Sequence, residues 1–306
     1  MKTPGEIPTT VNSVSELHHI LGLPKPYNPL VSVIDLSEVK NYNQIVSKTI
    51  IYNFYSIFLK NDYESIVKYG QNYFDFDSGV MSFFSPNQVT TTQMKTDATL
   101  KGTWLAIHPD FLRAYPLGSK IEGYGYFSYA TNEALHLSEK EEKMIERKLA
   151  EIKEEYHTNI DSFSQDLIVS QIDVLLNYCN RFYNRQFITR RHINNDLLTK
   201  FEALLRDYFK EGKALENGLP TVQYFSDQLN ISSNYLSDML KVLTGRTTQQ
   251  FIHDKIIEIA KEKLSVTSLS VSEIAYDLGF EYPQSFNKLF KNKSGISPLE
   301  FRKLFN

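Results

Sequence analysis

Residues 270–303 constrain the fold of this chain more than any other part of its sequence. Ser270 and Glu273 have the spacing of a capping box, so a helix is expected to begin there. Gly279 permits the left-handed backbone conformation that ends a helix at no steric cost. Pro283 is suited to the first turn of a second helix. Two short helices separated by a tight turn predict a helix-turn-helix unit.

The second of these helices has two chemically different faces. Phe286, Leu289 and Phe290 recur at helical spacing, which predicts that they face the protein interior. Gly295 is predicted to end the helix. In a helix-turn-helix, the second helix is the one that enters the major groove of DNA. Its opposite face is basic and rich in amides, and consists of Gln284, Asn287, Lys288 and Lys291.

The same pattern occurs a second time, about fifty residues earlier in the chain. Aligned on Gly245 and Gly295, the stretch 221–245 repeats the stretch 270–295, and such an internal repeat indicates a meaningful structural unit. A helix predicted over 248–264 connects the two units and sets their distance. To read one face of a duplex, the two recognition helices must enter successive major grooves, roughly 34 Å apart.

These residues carry a family resemblance. The run IAYDLGF, followed by SFNKLFKNKSGISPLEFR, resembles the signature of the AraC/XylS family of bacterial transcription regulators. The resemblance is close over the last third of the chain and extends to the rest only in layout. It implies a sequence-specific DNA-binding regulator whose partners are promoter or operator DNA and RNA polymerase. It also implies a cupin-type N-terminal sensing domain that responds to a small-molecule effector or forms a homodimer.

The second unit supplies the main candidate DNA contacts. Three side chains are predicted to meet base edges, because amides pair with adenine and lysine pairs with guanine. They are Gln284, Asn287 and Lys288. Four cations are predicted to meet phosphates, which positions the domain and makes its affinity depend on salt. They are Lys291, Lys293, Arg302 and Lys303.

The first unit departs from the family pattern at three positions. Ser226 replaces the small alanine, and Asn230 replaces the turn glycine, which is tolerable because Asn also adopts the left-handed conformation. Asp238 lies on the outer face of the recognition helix, at a position where the family often has a basic residue. It would repel phosphate, although Asp can accept a hydrogen bond from cytosine. The candidate contacts are Ser232, Ser233, Asn234, Ser237 and Lys241, and the sequence leaves open whether they read bases.

The charge of the whole chain is not that of a typical nucleic-acid binder. The formal net charge is −3, and the part from Asn195 onward contains 14 Lys and Arg against 14 Asp and Glu. From Asn287 onward, however, five cations are opposed by Glu300 alone. Affinity for DNA must therefore come from the local arrangement of charge.

The region 31–129 has a β pattern. Its runs VSVIDL, KTIIYNFYSIFLK, VMSFFS and KGTWLAI are rich in β-branched and aromatic residues and predict the short strands of a small sandwich or barrel. In position, this region corresponds to the cupin-like β-barrel that the resemblance implies. Its aromatic residues would suit either an apolar ligand pocket or a barrel filled by its own side chains. They are Tyr52, Phe54, Tyr55, Phe58, Tyr73, Phe74, Phe76, Phe83, Phe84 and Trp104.

Two other classes of protein are alternatives. A metal-dependent cupin enzyme with an attached helix-turn-helix would need His and Glu ligands that converge inside the barrel. The β region offers only His108, which is expected to cap the following turn. No catalytic residue, metal or cofactor is therefore predicted. The second alternative is an interaction or sensor module whose units bind protein, and the basic C-terminal face argues against it.

The predicted fold class is α+β with two domains. The N-terminal domain, 1–187, comprises an arm (1–30), the β region (31–129) and a helical hairpin (137–186). A linker (188–194) leads to an all-α DNA-binding domain (195–306). The single cysteine excludes a disulfide, and no apolar run approaches the length of a membrane span. Without a secretory signal, the protein is expected in the cytoplasm with no membrane partner.

Overall fold

The structure is a computed structural model that describes residues 8–41, 48–61, 79–91, 101–130, 133–158, 161 and 163–305. The chain divides into two compact units, Met1–Gln186 and Phe187–Asn306. The first contains strands and helices, and the described part of the second contains helices and no strand. Of the aromatic residues singled out above, Tyr73, Phe74 and Phe76 lie outside the described residues.

Eight described strands of the N-terminal unit form two sheets. The three-stranded sheet has the order β1-β3-β6, with β1 parallel to β3. Its strands are β1 (Thr9–Val11), β3 (Thr49–Tyr52) and β6 (Gln88–Thr91). The five-stranded sheet is antiparallel and has the order β2-β7-β4-β5-β8. Its strands are β2 (Val31–Asp35), β7 (Lys101–Ile107), β4 (Tyr55–Asn61), β5 (Val80–Phe84) and β8 (Leu135–His136).

The predicted barrel is wrong for the described strands, because no strand pairing among them joins the two sheets into a closed ring. The reason lies in the run KTIIYNFYSIFLK, which is two strands and not one. The chain leaves the small sheet after Tyr52 and enters the large sheet at Tyr55. The two sheets are instead joined by a shared hydrophobic cluster, as in a sandwich.

The space between the sheets is filled by aromatic side chains. The ring of Trp104 on β7 lies 5.4 Å from Tyr52 and 4.6 Å from Phe58, measured between centroids. Tyr52 also contacts Phe54 at 5.4 Å. A fully buried side chain of this size contributes about 1.5–3 kcal/mol to stability. At this place the aromatic residues of the β region pack on one another, as the second interpretation of their density predicted.

Five described α-helices belong wholly or mainly to the N-terminal unit. They are α1 (Val14–Leu21), α2 (Pro109–Leu112), α3 (Pro116–Glu122), α4 (Glu139–His157) and α5 (Ser164–Thr189). His108 caps α2 as predicted, its Nδ1 accepting a hydrogen bond from the Asp110 N–H at 3.3 Å. Ser138 and Glu141 form a capping box at the start of α4.

The helices α4 and α5 cover different strands of the large sheet. Helix α4 lies against β2, whereas Cys179 on α5 contacts Met81 on β5 through their sulfur atoms at 3.8 Å. Arg185 of α5 reaches Glu141 of α4 with an Nη2–Oε2 distance of 2.6 Å. Leu167 on α5 is 48% exposed.

The C-terminal unit continues α5 with eight more helices in its described part. They are α6 (Arg191–Lys210), α7 (Lys213–Asn217), α8 (Val222–Leu229), α9 (Ser233–Thr244), α10 (Thr248–Val266), α11 (Val271–Asp277), α12 (Pro283–Ser294) and α13 (Pro298–Arg302). The range predicted as a linker is helical except at Arg190, because it contains no Gly or Pro to interrupt a helix. None of the described helices is both long enough and apolar enough to cross a membrane.

Candidate nucleic-acid interface

Two helix-turn-helix units lie in the C-terminal domain, as predicted. Helices α8 and α9 form the first unit, α11 and α12 form the second, and α10 connects them. The turn of each unit contains one left-handed residue, Asn230 with φ 55° or Gly279 with φ 89°. The next N–H then bonds back to the first helix in both units, so the turns are alike. These bonds run from Ile231 to the Ser226 carbonyl, 3.1 Å, and from Phe280 to the Ala275 carbonyl, 3.0 Å.

A small, fully buried residue separates the two helices in each unit. In the second unit it is Ala275, and in the first it is Ser226. The hydroxyl of Ser226 donates to the Gln223 carbonyl at 3.0 Å and lies 2.8 Å from the hydroxyl of Ser233. A buried hydroxyl without partners would cost about 1–3 kcal/mol, so these bonds make serine acceptable at this position.

The two predicted faces of α12 are confirmed. Phe286 and Phe290 are fully buried, whereas the amide and basic side chains opposite them are exposed. Among the described residues, the side chains of Gln284, Asn287 and Lys288 form no hydrogen bond or ion pair within the protein. The three predicted base-contacting groups therefore stand together on one face with their polar atoms available.

The four predicted phosphate contacts fall into two groups. Lys291 and Lys303 are exposed. The pKa of the Glu300 carboxyl is lowered mainly by the backbone hydrogen bond from Ser297, and the charges of these two lysines lower it further. Lys293 is instead paired with Asp254 on α10, with an Nζ–Oδ1 distance of 2.8 Å. Arg302 donates from Nη2 to the Leu269 carbonyl at 2.5 Å. Two of the four cations thus already have partners inside the domain.

The candidate contacts of the first unit are divided in the same way. Ser232 caps α9 by accepting from the Tyr235 N–H at 3.2 Å. Ser233 donates to the Gln223 side chain at 2.9 Å, and Ser237 donates to the Ser233 carbonyl at 2.9 Å. The three serines are half-buried and hold the unit together. Asn234 and Lys241 are the two candidates that the structure exposes.

The outer faces of α9 and α12 differ in charge at equivalent positions. With Gly245 aligned on Gly295, Asn234 corresponds to Gln284 and Lys241 to Lys291, so these positions are similar. Asp238, which is half-buried, corresponds to Lys288. The first unit therefore has a negative charge where the second has a positive one, and its outer face attracts phosphate less strongly.

Helix α10 is joined to both units by packing and by ion pairs. Its buried residues are Thr248, Ile252, Ile256, Ile257, Ala260 and Leu264. Asp254 on its surface lies 2.8 Å from the Lys293 ammonium and 3.6 Å from the Arg246 guanidinium. Lys263 pairs with Asp277 of α11 at 2.5 Å. Exposed pairs contribute at most about 1 kcal/mol each, so the apolar face carries most of the stability.

Sequence reasoning did not identify two further features of the second unit. Tyr282, which directly precedes α12, is 57% exposed, and Tyr276 on α11 is 50% exposed. The sequence signal that could have identified these two tyrosines was the presence of large aromatic residues beside the predicted turn. Gly279 lies against Gly218 and Ala214, residues that follow or belong to the short helix α7. No local spacing signalled that contact.

Comparison with known proteins places these residues among regulators. A family described as a helix-turn-helix domain matches residues 225–304. The uncharacterized HTH-type transcriptional regulator YfiF of Bacillus subtilis is 30% identical over 146 residues, 48% of this chain and 43% of that protein. The HTH-type transcriptional activator RhaS of an Enterobacter species is 31% identical over 140 residues, 45% of each chain.

Among solved structures, the C-terminal domain of the two-component response regulator yesN from Fusobacterium nucleatum is 33% identical. The match covers 33% of this chain and 95% of that one, with a TM-score of 0.29. This chain spans less than half the length of YfiF and RhaS. The similarity to these two relatives therefore concerns part of each protein.

Proposed function

We propose that the C-terminal part of this chain is a DNA-binding domain of the AraC/XylS type and that the protein is a sequence-specific DNA-binding regulator. The observation that carries the proposal is the outer face of α12. Gln284, Asn287 and Lys288 are exposed there and have no partner in the part of the chain that the structure describes, and Phe286 and Phe290 anchor the same helix in the core. A rigid helix that exposes two amide side chains and a lysine is suited to recognition of the major groove.

We propose distinct roles for the polar residues of the domain. Gln284, Asn287 and Lys288 read base edges, and Lys291 and Lys303 contact phosphates. Lys293 and Arg302 would have to leave Asp254 and the Leu269 carbonyl before they could reach a phosphate. In the first unit, the exposed Asn234 and Lys241 are the better candidates for direct contact, while the serines preserve its shape.

We further propose that the N-terminal unit controls this DNA binding through an effector or a homodimer. Two observations support the proposal. The Trp104 Nε1 and Ser56 Oγ atoms are buried between the sheets and have no hydrogen-bond partner among the described residues, so a ligand that accepts and donates there would satisfy both. An exposed apolar stripe offers a surface for a second copy; it consists of Phe163, which directly precedes α5, and of Leu167 and Val174 on that helix. RNA polymerase is the further partner of a regulator that activates transcription.

The proposed function can be tested by recovering bound sequences from a randomised duplex pool at two salt concentrations. We expect one motif with two blocks about one helical turn apart. The block read by the second unit should be the more strongly constrained, because α9 exposes fewer candidate contacts. Recovery of no motif, together with binding that does not change with salt, would overturn the proposal and favour the protein-interaction module.

Lys288→Ala is expected to weaken binding to the recovered motif by about 1–3 kcal/mol, with no change in melting temperature. The lysine is exposed and unpaired among the described residues, so its loss removes a base contact without disturbing the core. Affinity is measured by fluorescence anisotropy on labelled duplex. Lys140→Ala is the matched control, since it removes the same charge from an exposed position on α4. Parental affinity in both Lys288→Ala and Asn287→Ala would mean that α12 does not enter the groove as proposed.

A further inference from the structure

A pocket of about 370 Å³ opens on the N-terminal unit, away from the interface between the two sheets. Its location follows from the alternation of side chains along β4. Phe58 contacts Trp104 in the sandwich interior, so Tyr55, three residues earlier, lies on the opposite face of the sheet. The ring of Tyr55 contacts Phe127 at 5.1 Å on that face. The pocket is therefore separate from the interior where Trp104 and Ser56 lie.

The pocket has aromatic walls. Tyr55, Tyr124 and Phe127 line it together with the buried Ile121. Tyr55 is 8% exposed, and its hydroxyl has no hydrogen-bond partner among the described residues. A cation already lies near one of these rings, because the Lys120 ammonium is 5.9 Å from the centroid of Tyr124. Rings in such a wall attract positive charge through their electron-rich faces.

Glu122 is the one charged side chain among the described residues that line the pocket. It forms no ion pair with any part of the chain that the structure describes. The basic residue nearest in sequence is Lys120, which already forms an ion pair with Asp173 on α5, with an Nζ–Oδ1 distance of 2.6 Å. Burial raises the pKa of the Tyr55 hydroxyl, and the charge of Glu122 raises it further, so Tyr55 stays a neutral hydrogen-bonding group beside the carboxylate.

We propose that this pocket binds a small organic cation, an amine or quaternary ammonium compound with an apolar body. The cationic group would pair with the Glu122 carboxylate, and the apolar body would lie against Tyr55, Tyr124 and Phe127. The volume falls within the range of small-molecule sites, roughly 300–1,000 Å³. An anion is disfavoured, because it would approach the exposed Glu122 carboxylate, which has no ion-pair partner among the described residues. This proposal does not depend on DNA binding.

The test compares three probes of nearly equal shape on the full chain by isothermal titration calorimetry at pH 7.5. They are benzylamine, benzyl alcohol and benzoate, which are cationic, neutral and anionic. We expect benzylamine to bind about three- to tenfold more tightly than benzyl alcohol, and benzoate to bind weakest. Equal binding of the three probes, or no binding of benzylamine, would overturn the proposal.

The variant Glu122→Gln tests whether benzylamine binds in this pocket. This isosteric change should lower the affinity for benzylamine about three- to tenfold and leave that for benzyl alcohol unchanged, because it removes only the charge. The control is Glu154→Gln, which removes an exposed carboxylate from α4 and should leave all three affinities at the parental values. If Glu122→Gln binds benzylamine as tightly as the parent, the amine binds elsewhere and the proposal fails.

Discussion

Gly279→Ala is expected to lower the free energy of unfolding of the C-terminal domain by about 2–5 kcal/mol. The residue has φ 89°, where a side chain costs roughly 1–2 kcal/mol. An added Cβ would also lie 2.6 Å from the carbonyl carbon of Gly218 and 2.8 Å from the carbonyl oxygen of Ala214. These are backbone atoms that cannot rotate away, so overpacking adds roughly 1–3 kcal/mol. Chemical denaturation of the full chain, followed by circular dichroism, measures the loss.

Gly295→Ala separates the two contributions to this loss. Gly295 also has a positive φ, 81°, but an added Cβ would meet no atom within 4 Å. The loss there is expected to be about 1–2 kcal/mol, from the backbone conformation alone. An equal loss in both variants would show that the close approach of Gly279 to Gly218 contributes nothing to stability.

Phe290→Ala is expected to lower the free energy of unfolding by about 3–5 kcal/mol, as a large truncation in the core. Phe290 is fully buried, and its ring lies 5.8 Å from Phe286 and 5.6 Å from Phe301. The surrounding helices are held by other contacts and can close the cavity only in part. Thermal and urea unfolding of the full chain measure the effect.

Phe305→Ala is the matched control for this prediction. Phe305 is also a phenylalanine near the C-terminus, but it is 57% exposed. Its replacement should change stability by about 0.5 kcal/mol or less. A Phe290 variant that melts like the parent would show that the inner face of α12 is assigned wrongly, and with it the outer face proposed to read DNA.

The helices of the C-terminal domain could be predicted because their signals are local. A capping box joins residues three apart, as in Ser270 and Glu273, and the structure contains both of its hydrogen bonds. The left-handed turn at Asn230 was likewise predictable from the residue type and the repeat. The division of α12 into buried phenylalanines and exposed polar groups follows from helical spacing alone.

The sequence could not indicate which of the predicted phosphate-contacting residues already form an ion pair or hydrogen bond within the protein. Lys293 and Asp254 are 39 positions apart, and Arg302 reaches a carbonyl 33 positions away. Ser233 and Ser237 have the composition of a DNA-contacting surface, yet their hydroxyls close the first unit. Each of these pairings depends on how two helices meet, which no spacing within one helix encodes.

The local sequence specified the two helix-turn-helix units, their connecting helix and the face of α12 that is proposed to meet DNA. It did so because capping, turn conformation and helical periodicity act over a few residues. The three-dimensional fold was needed to show that the strands form two packed sheets, that Gly279 lies against Gly218, and that Glu122 and Tyr55 share a pocket. Those features arise where distant parts of the chain pack together, and many pairings of distant residues satisfy the same local preferences.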